Sequence, residues 1–231
     1  MSLTGNRLLD LVPNGELSFL LSSAQAVFLP HGQEVFRDNG PMPYVYFPTK
    51  GVFGIVLFLE GGKQVEGTMI GREGMLGLPA FLGVEFHPFT AVAQIPSEAL
   101  RVSVAAFLHA SKPGSLFDRL LRRYALFRLR CANQTGVCNS LHSVQERLCR
   151  WLLMAQDRAG QKEFFLTHEF LADLLGVRRQ TVSIIAGTLQ RAGFISYHRG
   201  VFQILDREGL EGAACECYTA TKLLYERIMR S

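Results

Sequence analysis

The first 130 residues contain no cysteine; the five in the chain are Cys131, Cys138, Cys149, Cys215 and Cys217. An odd number without any C-x-x-C pair excludes a disulfide framework and predicts free, buried thiols in a reducing compartment. Cys215 and Cys217 form a C-x-C with no second pair at ligand spacing, so no metal and no iron–sulfur cluster is expected. Long apolar runs are missing too. Nothing approaches the ~20 apolar residues that span a bilayer, and Leu17–Leu29 is interrupted by Ser22, Ser23 and Gln25. With no basic region ahead of an apolar core at the N-terminus, no targeting segment and no membrane partner are expected, and the cytoplasm is the expected location. Catalytic signatures are also lacking: there is no nucleophile elbow, no G-x-x-x-x-G-K loop and no histidine–acid cluster at metal spacing. An enzyme is therefore not expected. Two narrower absences carry the most information. No Asp or Glu lies between Leu174 and Leu205, and no arginine lies between Arg72 and Arg101.

The chain has 231 residues, 48% of them hydrophobic and 19% charged, as in a globular protein of one large domain or two modest ones. Its net charge of +4 is unevenly spread: residues 1–100 sum to −4, residues 101–150 to +7 and the remainder to +1. An acidic front and a basic middle suit an anionic partner behind. After short helices in the first ~25 residues, the texture becomes β-type runs broken by glycine: Tyr44–Phe47, Val52–Leu59, Gln64–Ile70, Thr90–Ile95 and Ala99–Val104. Eleven of the 22 glycines fall between Gly32 and Gly83, as an all-β roll with tight turns requires, with or without a ligand inside.

A helix is predicted from near Ser115, with Asp118 at the capping-box position. Leu120, Tyr124, Phe127, Cys131, Gln134, Cys138 and Leu141 recur along it at spacings of four and three. Such a seam either pairs with its own copy as a dimer interface or packs onto the chain's own β domain. It stops at Asn139–Ser143, a natural hinge. A new helix is capped by Ser143 and Glu146 and buries Val144, Leu148, Trp151, Leu152 and Ala155.

From Leu166 to Leu205 the pattern is helix, tight turn, helix and hairpin. Thr167 caps the first helix, Glu169 sits in its positive first turn, and Leu171, Leu174 and Leu175 form its apolar stripe. Gly176 marks the sharp turn. Val182, Ile185 and Leu189 give the second stripe, ended by Gly193. Small Ala172, glycine four later and β-branched Val182 are the packing signature of a helix-turn-helix. Arg178, Arg179, Arg191 and Arg199 stand in a stretch without acids, and His198-Arg199-Gly200 tips a hairpin that reads as a wing. A core αα-hairpin is the alternative for the two helices alone. A final helix is predicted over Arg207 to Arg230.

In this order the parts resemble the catabolite-activator and Fnr (Crp/Fnr) family of bacterial transcription regulators, over nearly the whole chain. The strings that carry the resemblance are LTHEFLADLLGVRRQTV (Leu166–Val182), SYHRGVFQILDREGLE (Ser196–Glu211) and CNSLHSVQERLCRWLL (Cys138–Leu153). YVYFPTKG and IGREGMLGLPAFLG (Tyr44–Gly51, Ile70–Gly83) look like the β-roll of a branch with undefined effectors. The resemblance implies an α+β chain: a cyclic-nucleotide-binding-like β-roll over 1–112, a dimerisation helix and hinge over 113–142, and a winged helix-turn-helix over 143–231. It implies a homodimer that binds double-stranded DNA and works with RNA polymerase, the recognition helix Arg178–Gln190 lying in the major groove.

Carried over by position, Arg179 is the base-reading arginine, its fork suited to guanine, and Thr181 a phosphate contact. Gln180 stands where the family often has glutamate, and Ile184 replaces a common arginine. Arg178, Ser183, His168 and the wing's Arg199 complete the expected DNA-contacting set. Cyclic-nucleotide binders of the family use a glutamate for the ribose and an arginine for the cyclic phosphate. Between Gly74 and Ala93 this chain offers Leu76 and Leu78, then Pro88-Phe89. A phosphate buried there without a cation loses its charge-assisted hydrogen bonds. No cofactor is predicted. The expected effector is an unknown small molecule, apolar or neutral, in a pocket of Leu76, Gly77, Leu78, Phe89 and Thr90. Haem through His31, His87 or His109 stays open beside structural roles for those histidines. A ligand-binding module that regulates a protein partner without touching DNA is the rival reading, and salt-dependent duplex binding separates the two.

Overall fold

A computed structural model describes residues 4–58, 64–161 and 163–230. A short 3-10 turn, Leu9–Leu11, and helix α1 (Asn14–Ser22) precede a roll of strands β1 (Gln25–Leu29), β2 (Glu34–Phe36), β3 (Gly40–Pro41), β4 (Tyr44–Phe58) and β5 (Gln64–Ile70). The one-turn helix α2 (Leu78–Phe81), β6 (Phe86–His87) and β7 (Thr90–Ser103) complete it. The main sheet is antiparallel, ordered β1-β7-β4-β5 with β2 also on β7, while β3 pairs with β6.

Four of the predicted runs turn out to be two long strands. Tyr44–Phe47 and Val52 onward are both in β4, and Thr90–Ile95 and the run from Ala99 are both in β7, with register shifts around Pro48–Phe53 joining the runs. Strand β7 ends at Ser103, so the expected last residue, Val104, opens the next helix instead. Leu59, the expected end of one run, lies outside the described residues. Gly51 makes the bulge possible. Its φ is +83°, and a Cβ there would stand 2.2 Å from the Ser97 hydroxyl oxygen.

Helix α3 (Val104–Ala110) leads to the long helix α4 (Leu116–Leu141), where the Ser115 hydroxyl accepts from the Asp118 amide at 3.0 Å. The box is only half formed, because the Asp118 carboxylate bonds Arg122 and the Gly114 amide instead. His142 breaks the helix in extended conformation. Helix α5 (Val144–Ala159) then begins with both halves of its Ser143–Glu146 capping box in place. After β8 (Glu163–Phe165) come α6 (His168–Leu175), α7 (Arg179–Arg191), the hairpin β9 (Ile195–His198) and β10 (Val201–Ile204), α8 (Arg207–Gly212) and α9 (Cys217–Arg230). The expected single final helix is thus two. Asp206 caps α8, and the chain breaks across Ala213–Glu216 before α9 starts. That break turns Cys215 and Cys217 inward, where both are buried.

The seven-position seam on α4 is not a dimer surface. Leu120, Tyr124, Phe127, Cys131 and Cys138 are each no more than 5% exposed, packed within their own chain. Phe127 meets the Tyr225 ring of α9 at a centroid distance of 5.2 Å, the Tyr124 hydroxyl bonds the Met75 backbone, and Gln134 donates to the Cys217 sulfur. Of the seven, Leu141 alone is largely exposed, at 74%. The reason is energetic. Each apolar side chain buried in the monomer contributes ~1.5–3 kcal/mol, and the roll and α9 claim that face first. Two residues along a helix is about 200° of rotation, so the opposite face carries Leu126 and Leu129, 57% and 60% exposed, followed by Asn133, Gly136, Val137 and Ser140.

Two cores result, and they do not follow chain order. The first holds the roll, α1, α3 and most of α4, and also takes Tyr225 and Met229 from α9. The second holds α5 to α8 and takes Val52, Met69 and Ile95 from the roll. The β-sheet therefore docks directly on α5 and α6.

Candidate nucleic-acid interface and effector cavity

Helix α6 starts where the Thr167 hydroxyl accepts from the Phe170 amide at 3.1 Å, and it ends at Gly176. At φ +65° Gly176 holds the left-handed turn that aims α7 across α6. Leu171, Ala172, Leu174 and Leu175 are buried against Val182, Ala186 and Leu189, which fixes the two axes relative to each other. The turn of the wing is Arg199-Gly200, with φ values of +48° and +85°, the two consecutive left-handed residues of a tight β-hairpin.

This frame presents Arg178, Arg179, Gln180 and Ile184 outward, Ile184 being 69% exposed. No side chain caps the start of α7, leaving its first amides available to an anion. Arg179 lies 3.8 Å from Glu169, and both are about 70% exposed. Such an exposed pair holds the guanidinium only weakly. Thr181 and Ser183 are half-buried beside them, and Arg199 is exposed at the wing tip.

His168 departs from the expected contact set. Its Nδ1 pairs with the Ser183 hydroxyl at 2.8 Å, its ring stacks on Tyr197 at 4.3 Å, and its Nε2 is buried without a partner. Burial, and then the charge of Arg179, push its pKa below the usual imidazole value, so the ring is neutral at pH 7. It pins α6, α7 and the wing to one another.

In the roll, a cavity of about 370 Å³ opens between the α2 turn, β5 and α4. Leu76, Gly77, Leu78 and Phe89 line it, as expected. Thr90 does not: it is buried outside the lining, its hydroxyl accepting from the Asp38 amide. Arg128 of α4 lines the cavity as well and donates to the Met69 carbonyl at 2.7 Å. It was not legible within Gly74–Ala93 because α4 supplies it from about 40 residues downstream. Of the three histidines, His87 lines this cavity, with Nδ1 donating to the Phe89 carbonyl and its ring stacked on Phe36 at 4.5 Å. Burial lowers its pKa. His31 instead faces Phe165 and Phe170 between the two cores, and His109 lies on Phe19.

Between the cores runs a buried polar seam that sequence patterning did not reveal. Arg158 of α5 pairs with Glu73 at 3.1 Å and donates to the Met69 carbonyl, and the Glu73 carboxylate also accepts from the Gly71 amide. Glu66 of β5 accepts from Gln94 and from the Trp151 indole, and burial raises its pKa above the usual carboxylate value. A second group missed in sequence is Cys138, His142, Cys215 and Cys217, whose ligating atoms all lie within 4.8 Å of one another. The signal was present in the Cys-x-x-x-His spacing of one helix turn, which a search for cysteine pairs passes over.

Residues 26–112 match the model of the cyclic nucleotide-binding domain, and residues 146–213 that of the Crp-like helix-turn-helix domain. No curated protein matches the chain as a relative. Among solved structures, FixK2 from Bradyrhizobium japonicum superposes with a TM-score of 0.70 at 20% identity, covering 83% of this chain and 98% of that one. A CRP-family transcriptional regulator from Thermus thermophilus gives 0.66 at 18%, covering 83% and 99%. A crp/fnr-family regulator from Eubacterium rectale gives 0.66 at 15%, covering 98% and 99%. At these identities the likeness concerns the fold.

Proposed function

Because the chain belongs to the Crp/Fnr family of transcription regulators, we propose that it acts in the cytoplasm as a homodimer, reading DNA with Arg179 and its neighbours while the β-roll cavity holds a small effector. It is a DNA-binding regulator with a ligand-sensing domain, and no helix among the described residues is long and apolar enough to cross a membrane. The observation that carries the site assignment is the outward, uncapped start of α7, with Arg178, Arg179 and Gln180 exposed on a frame locked by α6. Arg179 forks onto a guanine, Gln180 and Ile184 face adjacent bases, and Thr181, Arg178 and Arg199 reach phosphates. Ser183 is held by His168 and sets the helix pose. RNA polymerase is the downstream partner in this reading.

Selection from random duplexes separates base reading from backbone anchoring. Arg179→Ala is expected to lose discrimination at one symmetric position, at a cost of ~1–3 kcal/mol. Arg199→Ala is expected to weaken all sequences alike and to flatten the salt dependence by about one unit. Identical profiles for wild type and Arg179→Ala would put the reading head elsewhere.

As effector we propose an apolar molecule with one anionic end, its tail among Leu76, Leu78 and Phe89 and its anion toward Arg128. The cavity's size suits a small ligand. Arg128 is the only full positive charge among its described lining residues, which are otherwise almost all apolar and include no Asp or Glu to take the ribose hydroxyls of a cyclic nucleotide, so one anionic end on an apolar tail fits better. Calorimetry is expected to give decanoate a micromolar Kd that weakens about tenfold in Arg128→Met, and to give cyclic AMP no comparable binding. Cyclic AMP at about −8 kcal/mol or better would overturn this assignment.

A further inference from the structure

Cys138 and His142 stand one turn apart at the end of α4, and Cys215 and Cys217 flank Glu216 at the break between α8 and α9. The three cysteines form a small buried cluster separate from both main cores. Cys138 Sγ lies 3.5 Å from Cys215 Sγ, and Cys217 Sγ lies 3.6 Å from His142 Nδ1. With Zn–S near 2.3 Å and Zn–N near 2.0–2.1 Å, the edges of a tetrahedral site are about 3.3–3.8 Å. Two of the six donor separations are of that size and all six lie within 4.8 Å, so the four donors are gathered closely enough to close on a single ion.

The surroundings match as well. His142 Nε2 lies 3.2 Å from the Glu216 carboxylate, leaving Nδ1 turned toward the sulfurs. Gln134 Nε2 donates to Cys217 Sγ at 2.9 Å. A carboxylate on the far nitrogen of a histidine and an N–H donor on a sulfur are the contacts that orient and tune metal ligands. Core packing of thiols alone requires neither. Buried Arg150, close enough to act on Cys138 and Cys215, offsets the charge that three thiolates leave on a dication.

We propose that Cys138, His142, Cys215 and Cys217 bind one zinc ion per chain, in a closed four-coordinate site that staples the hinge end of α4 to the α8–α9 break. Three thiols release their protons to solvent on loading, and His142 coordinates as the neutral ring through Nδ1. Thiolates with imidazole in a tetrahedral set favour zinc over hard cations. The ion would tie the helix that leaves the sensor to the last helices of the DNA-binding domain, so loading would set how freely the hinge moves.

The test titrates reduced, metal-stripped full-length protein with Co²⁺ and then Zn²⁺. One Co²⁺ per chain is expected, with thiolate charge-transfer and tetrahedral d–d absorption that one equivalent of Zn²⁺ erases. Cys138→Ser and Cys217→Ser are expected to lower affinity at least 100-fold, and Glu216→Gln 10- to 100-fold. Cys131→Ser and Cys149→Ser, outside the cluster, should leave the titration unchanged. If a serine variant fails to fold, Glu216→Gln, on the exposed rim of the cluster, and His142→Asn decide the matter. Absence of stoichiometric cobalt binding overturns the proposal, as does a spectrum that survives Cys217→Ser. So does a Cys138–Cys215 disulfide forming in protein that never takes up the metal.

Discussion

Leu129→Glu is expected to separate the proposed homodimer into folded monomers. Leu126 and Leu129 are more than half exposed on the face of α4 that turns away from its own chain, and Val137 and Leu141 continue the apolar surface toward the hinge. Gly136 has open space where a Cβ would stand, which allows a second helix to come close. In a symmetric pair this face meets its copy, so a glutamate at 129 brings two like charges together in an apolar seam. An unpaired buried charge costs ~3–5 kcal/mol, which at 1.4 kcal/mol per decade weakens the dimer by roughly 10²–10³-fold or more. Operator affinity should fall with it, because each half-site is then bound alone. Phe127→Glu is the contrast. That side chain is 1% exposed inside the monomer, so its replacement should unfold the chain rather than divide it. Sedimentation and circular dichroism on the two variants distinguish these results. A Leu129→Glu protein that stays dimeric at low micromolar concentration would place the interface elsewhere.

Arg158→Met should lower stability by ~3–5 kcal/mol, the largest effect expected of any single polar substitution here. Arg158 and Glu73 are 7% and 4% exposed and pair at 3.1 Å between the two cores. Removing the guanidinium leaves the Glu73 carboxylate buried with, among the described residues, only the Gly71 amide as a hydrogen-bond donor. The Met69 carbonyl keeps Arg128 as its donor, so the loss belongs to the stranded charge. For a chain of this size it corresponds to a drop in Tm of roughly 6–20 °C. The second substitution Glu73→Gln, which removes that charge, should restore most of the loss. If Arg158→Met costs less than ~1 kcal/mol, solvent reaches the pair and the two cores are not closed on each other.

How much of this was legible in the sequence depended on the range of the interactions involved. Thr167, Gly176 and the stripes at Leu171 and Val182 act within one or two helical turns, so the helix-turn-helix and its exposed arginines follow from residues close in the chain. The same holds for the Ser143–Glu146 box, and for the glycine-rich strands, apart from their merging across the bulges near Gly51. The face that α4 buries was not legible. Leu120 and Leu126 are both leucines in the same helix, and spacing alone does not say which one the roll reaches first. That depended on α9 folding back from the far end of the chain to set Tyr225 against Phe127. Arg128 in the cavity, Glu73 on Arg158, and Cys215 and Cys217 beside Cys138 of α4 are likewise partners separated by tens of residues. Local propensity carries no information about such pairs. The sequence by itself determined most of the elements, their order and the basic, exposed start of α7. The tertiary structure decided which face of each element is spent on the chain's own core and which is left for a partner, because that choice belongs to whichever long-range burial removes the most apolar surface from water.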